Sequence, residues 1–186
     1  MHDLVPLTAL GVTEPRCDTI GPVTITESPD WALASVAARQ GQETACRSAL
    51  EKLLGAEAPG IAAYASGETL SAFWIGPDVW MVEALYASHP DLAARVKATC
   101  ADTASVTDQT GAWARFDLSG ENLSRLMERL CNLDMGKMQA GHARRTLIEH
   151  MGCFVICHTE QFTLYSPRSS AQSLHHALIT AAKSVF

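Results

Sequence analysis

The chain has 186 residues, 47% of them hydrophobic and 18% charged, with a formal net charge of −6. That length buries a full core without covalent staples, and the modest negative charge without a basic run excludes a polyanion footprint, so no nucleic-acid partner is expected. No stretch approaches the roughly 18 apolar residues of a membrane span.

The first residues, Met1-His-Asp-Leu-Val-Pro6, carry neither a basic region nor an apolar signal core, and the expected location is cytoplasmic. Six cysteines, at 17, 46, 100, 131, 153 and 157, sit in apolar surroundings without extracellular spacing and read as small core residues of a reducing compartment. Residues 1–29 contain Pro6, Pro15, Pro22 and Pro29 and no helical period. They read as an extended N-terminal arm that lies along the domain or reaches a partner, with Val23–Thr26 as an edge strand.

A first α+β unit is expected over 30–103. From Trp31 to Arg39 the residues alternate, Ala32, Ala34, Val36 and Ala38 forming a small apolar face opposite Trp31, Leu33 and Ser35. Cys46, Ala49, Leu50, Leu53 and Leu54 then recur at helical spacing, with Gly55 as the stop. A Gly/Pro/Ala loop through Ser66 leads to a hairpin, Leu70–Ile75 and Val79–Leu85 about the turn Gly76-Pro-Asp78. Ser88-His-Pro-Asp91 opens a helix with the stripe Leu92, Val96 and Cys100.

A second unit, 104–186, repeats this order. A shift of 82 places Trp31 on Trp113, Ala34 on Phe116, Val36 on Leu118, Trp80 on Phe162, Val82 on Leu164, Leu92 on Leu174 and Val96 on Leu178. For the first helix the shift is 77, setting Cys46, Ala49, Leu50, Leu53 and Leu54 on Leu123, Leu126, Met127, Leu130 and Cys131. The fold class is therefore α+β: two repeated strand-helix-strand-strand-helix units with antiparallel or mixed sheets, packed separately or as one domain.

Chemistry-bearing residues are few. His150, Cys153, Cys157 and His158 form the most tempting cluster, but a strand sends the cysteines to one face and the histidines to the other, so no metal site is expected. Cys153 and Cys157 flank Phe154-Val-Ile156 and lack the exposed, basic surroundings of a nucleophile. His175 falls at the rim and His176 on the solvent side of the last helix. His142, Arg144 and Arg145 could meet Arg168 and Ser170 at the end of the second sheet and hold an anion, or face a partner or solvent. Asp102, Asp108, Asp117, Glu121 and Asp134 make no pair suited to acid–base work, and Glu121 is accounted for by the helix N-terminus and Arg125. Phosphate-loop, dinucleotide and nucleophile-elbow motifs are absent. Trp31 and Trp113, the latter with Arg115 and Asp117, lie on the face opposite the small apolar one, as core if two sheets pack together and otherwise as interface anchors. No catalytic, cofactor-binding or metal residue is expected in this chain.

The segments SPDWALASVAARQG (Ser28–Gly41), FWIGPDVWMVE (Phe73–Glu83) and SVTDQTGAWARFDLSG (Ser105–Gly120) resemble the gamma subunit of heterotetrameric sarcosine oxidase. The likeness continues through Cys131-Asn-Leu-Asp134, Arg145-Thr-Leu147 and FTLYSPRSSAQSL (Phe162–Leu174); the arm is less alike, and Gly136–Arg144 lacks a Phe-Pro. The resemblance implies a fold similar to part of the folate-binding aminomethyltransferase of glycine cleavage. It also implies membership of an oxidoreductase complex, with alpha, beta and delta subunits as partners, that demethylates sarcosine to glycine and passes the methyl carbon to tetrahydrofolate or releases formaldehyde. FAD, FMN, NAD, tetrahydrofolate and zinc are implied in the partner subunits and none in this chain, whose role would be structural and whose isolated form would be inactive. The alternatives are the equivalent subunit of an N-methyl amino-acid dehydrogenase, or a stand-alone folate-dependent protein of the aminomethyltransferase type.

Overall fold

The computed structural model describes residues 4–186. They form an α+β fold with two antiparallel sheets and four α-helices. The chain divides into two compact units: residues 30–111 with 141–143, and residues up to Pro29 with Ala112–Ala140 and Arg144–Phe186.

In the first of these, β3 (Trp31–Ala38) leads to α1 (Glu43–Leu54), then β4 (Tyr64–Ser66), β5 (Ser71–Gly76), β6 (Val79–Leu85), α2 (Leu92–Cys100) and β7 (Ala104–Asp108). The sheet order is β4-β5-β6-β3-β7. Alternation sends Ala32, Ala34 and Val36 of β3 and Trp80, Val82 and Ala84 of β6 into one core with Cys46, Leu50 and Leu54 of α1 and Leu92, Val96 and Cys100 of α2. Full burial of each large aliphatic side chain contributes roughly 1.5–3 kcal/mol. Alanines on β3 leave room for the helices, and Gly55 ends α1 in the left-handed conformation, φ 67°.

The other unit begins with a hairpin, β1 (Cys17–Ile20) and β2 (Val23–Glu27), and continues with β8 (Trp113–Gly120), α3 (Leu123–Leu130), β9 (Ala143–Ile148), β10 (Met151–Cys157), β11 (Gln161–Pro167) and α4 (Ala171–Val185). Its sheet order is β1-β2-β8-β11-β10-β9. Val23 and Ile25 join Phe116, Leu118, Val155 and Leu164 beneath α3 and α4. A single two-residue turn, with Glu149 at φ 45° and His150 at φ 71°, connects β9 to β10 in the primed geometry that suits the twist of a hairpin.

Two differences from expectation concern where strands go. Residues 1–29, expected as an arm, contribute β1 and β2, and β2 is an inner strand paired with β8 from Val23↔Gly120 to Glu27↔Phe116. Its alternate residues Val23 and Ile25 are buried, which anchors it more firmly than an edge requires. Conversely, β7 falls after the expected 103/104 boundary but pairs with β3, from Ala34↔Asp108 to Ala38↔Ala104. The six-stranded sheet thus takes two strands, β1 and β2, and the five-stranded sheet one, β7, from beyond the expected limits. Tyr64–Ser66, expected as loop, is a short strand paired with β5.

Candidate functional site

A dense polar cluster stands on the β8 face turned away from the helices. Ala114, Phe116 and Leu118 go to the helix side, so Arg115 and Asp117 go to the other. The register sets Arg115 opposite Tyr165 and Asp117 opposite Thr163. Arg115 donates through Nη1 to the Tyr165 hydroxyl at 3.0 Å, and its Nη2 lies 3.1 Å from Asp117 Oδ1. Asp117 also accepts from Thr163 Oγ1 at 2.6 Å and Ser28 Oγ at 2.7 Å. His158 Nε2 lies 3.1 Å from Thr163 Oγ1.

Arg115, Thr163 and Tyr165 are buried and Asp117 and His158 partly so. Burial disfavours the charged carboxylate of Asp117, but Arg115 and the hydroxyls of Thr163 and Ser28 outweigh it and hold it below its ordinary value of 3.8. For His158, burial and the Arg115 charge push the imidazole below 6.5 against the opposing pull of Asp117. A carboxylate that accepts from Arg115, Thr163 and Ser28 and is held ionised is a poor general base. The cluster binds β8, β11 and the Ser28 segment together, and its chemistry is that of a clamp. Sequence reasoning named Arg115 and Asp117 but missed Ser28, Thr163 and Tyr165, because Thr163 and Tyr165 stand on β11, a strand that pairs with β8 from more than forty residues away.

Other candidates go separate ways. His150 sits in the β9–β10 turn, Cys153 and Cys157 are buried on the helix side, and His158 is on the opposite face. Burial pushes the Cys153 thiol up to about 11. Among the described residues no three His, Cys, Asp or Glu side chains are grouped to hold a metal ion. His175 meets Asp18 at 2.8 Å and His176 is exposed.

The basic residues proposed to meet are drawn to different partners. Arg168 Nη2 donates to the Leu7 carbonyl at 2.9 Å, and the Arg145 guanidinium lies 5.9 Å from the Phe154 ring centre. Arg144 and His142 are half-buried, and Ser170 precedes α4 without a side-chain capping bond. Asp102 is exposed, Asp108 accepts from the Thr110 amide at 2.8 Å, and Asp134 pairs with Lys137 at 3.0 Å. Glu121 is exposed and forms no ion pair with Arg125 among the described residues. Trp31 and Trp113 are both half-buried, and Trp113 lies 5.4 Å from Phe154 between ring centres.

Among the described residues, two of the open clefts in this unit are large. One, of about 750 Å³, lies where β8 enters α3 and β10 turns into β11, between Asn122, Met138 and His158. The other, of about 700 Å³, runs along β9 beside the C-terminal end of α3.

No protein-family model matches the sequence, and no curated protein sequence matches it. Solved structures do. A chain of the heterotetrameric sarcosine oxidase from Corynebacterium sp. U-96, solved with pyrrole 2-carboxylate, superposes with a TM-score of 0.75 at 18% identity, over 88% of this chain and 85% of that one. The glycine cleavage system aminomethyltransferase T from Bartonella henselae superposes with a TM-score of 0.64 at 12% identity. It is covered over 50% of its length by 89% of this chain. The fold is thus shared with a chain of an oxidoreductase complex and with half of an aminomethyltransferase. No helix among the described residues is long and apolar enough to cross a membrane.

Proposed function

We propose that this chain is the gamma subunit of a sarcosine oxidase complex that oxidatively demethylates sarcosine to glycine, passing the methyl carbon to tetrahydrofolate or releasing formaldehyde. Its role there is structural. Alpha, beta and delta subunits are its partners, and FAD, FMN, NAD, tetrahydrofolate and zinc belong to them. The observation that carries this reading is the reciprocal coverage. The chain accounts for 85% of the sarcosine oxidase chain but for only 50% of the aminomethyltransferase, so as a whole object it is like the former. The closed polar cluster around Arg115 supports a scaffold role, since each of its strong groups is already engaged.

Affinity isolation of the tagged chain from its native cells tests the reading. Recovery of large flavin-containing partners with sarcosine-dependent oxidase activity is the expected outcome, while the chain purified alone is colourless and inactive. A chain that stays free of such partners and binds tetrahydrofolate by calorimetry overturns it in favour of a stand-alone aminomethyltransferase-like protein.

A further inference from the structure

The outer edge of the six-stranded sheet is β9, and half of it is left open. At its first residue the Ala143 N–H donates to the Ala62 carbonyl at 2.9 Å. Main-chain direction alternates along a strand, so the N–H and C=O groups of Arg145 and Leu147 point the same way, away from β10. Among the described residues, no turn, loop or cap makes a main-chain hydrogen bond to them. Both side chains are exposed, Leu147 at 62%. The neighbouring Arg129–Asn132 segment meets this strand through a side-chain bond, Thr146 Oγ1 donating to Asn132 Oδ1 at 3.0 Å. Between them lies the groove of about 700 Å³ lined by Glu128, Arg129, Arg145, Leu147 and Gly152.

We infer that this edge takes an extended acidic segment of another protein as an additional antiparallel strand. Four main-chain groups, two N–H and two C=O, supply the pairing, as in other strand-addition sites. The side chains supply the selectivity. On the added strand an apolar residue faces Leu147 and, two positions later, an acidic residue faces Arg145. Arg129 on the other wall adds a second positive charge against the single carboxylate of Glu128. A second copy of this chain is disfavoured as the occupant. Antiparallel pairing of two β9 edges sets Arg145 opposite its own equivalent or one diagonal step from it, and like charges at that range repel. The inference stands whether or not the other protein is a sarcosine-oxidising subunit.

A displayed library of random linear peptides, selected on the full chain, provides the probe. The expected winners carry an apolar residue two positions before an acidic one. Leu147→Pro removes one outward N–H and leaves the ladder to β10 intact, a change an edge strand tolerates. It weakens the selected peptides about tenfold, whereas Leu147→Thr, which keeps the N–H, stays within about threefold of the parent. Unfolding curves of Leu147→Pro confirm that it folds. Should it not fold, Arg145→Glu decides, because it rejects the acidic peptides and accepts basic ones. Winners without acidic character, or winners bound equally by a folded Leu147→Pro, overturn the inference. So does a parent chain that sediments as a dimer which Leu147→Pro dissociates, since the occupant is then a second copy.

Discussion

The two sheets differ most where the chain repeats itself best. On the helix side the copies are interchangeable: Ala34, Val36, Trp80, Val82, Leu92 and Val96 in one and Phe116, Leu118, Phe162, Leu164, Leu174 and Leu178 in the other are all buried where sheet and helices meet. On the opposite side they diverge. β3 presents Leu33 and Ser35, whereas β8 presents Arg115 and Asp117. At the end of the strand, Ala38 in the first copy corresponds to Gly120 in the second, at φ 115°, where a Cβ would stand 2.0 Å from the Pro22 carbonyl oxygen. Packing against helices constrains both copies to one solution, while the other face is left to carry what distinguishes them.

The sharpest way to break this comparison is at Arg115. Arg115→Ala leaves the Asp117 carboxylate without its cation in a part-buried site and is expected to cost about 3–5 kcal/mol. Adding Asp117→Ala recovers much of that loss, because the abandoned charge is removed with its partner. Leu33→Ala in the first copy loses burial alone, about 2–4 kcal/mol, and no second substitution at Ser35 restores it. Chemical denaturation of the variants measures both. Additive losses at Arg115 and Asp117 would show that the cluster is not a single electrostatic unit.

A second prediction concerns the faces that agree. Leu50 of α1 and Met127 of α3 occupy equivalent helix positions and are fully buried. Truncation of either to alanine is expected to cost about 2–5 kcal/mol, since each leaves a cavity under a helix. Unfolding midpoints in urea should fall by similar amounts. A loss confined to one copy would mean that the other tolerates the cavity by collapse.

What was legible in the sequence follows the same division. The helices and their buried stripes could be read because burial on one side of an amphipathic element leaves a periodic trace, as at Cys46, Leu50 and Leu54. Strand membership could not. β2 and β7 each continue in sequence toward one sheet and pair in the other, and nothing local in Val23–Glu27 or Ala104–Asp108 records which long-range partner wins. For the polar cluster, Arg115 and Asp117 were visible as a charged pair on one strand face. Their partners Thr163, Tyr165 and Ser28 depend on register, and a register is a property of two segments at once. The basic residues, for which an anion site was one alternative beside a partner-facing or solvated patch, are separated for the same reason, since Arg168 turns to the Leu7 carbonyl and Arg145 to Phe154.

The smallest expected effect separates the copies by pH. His158 is held below its ordinary value of 6.5 in the folded chain, by burial first and then by Arg115, so as pH falls below about 6.5 the unfolded chain takes up a proton that the folded chain resists. Stability is therefore highest above that value and declines through the mildly acidic range toward the folded value. Asp117, lowered from 3.8, adds a further decline of the same sign only below that second value, as its carboxylate is protonated and its pairing with Arg115 is lost. His158→Gln should flatten the first decline and leave the second, whereas Asp117→Asn should remove the second and deepen the first, because the carboxylate that opposes the Arg115 charge on His158 is gone. Urea unfolding followed from about pH 7.5 to about pH 3 resolves the two, because each step occupies its own window. On β3 the corresponding positions, Leu33 and Ser35, do not titrate. If His158→Gln leaves the first decline unchanged, the proton is taken up elsewhere and the cluster on β8 does not set the acid response.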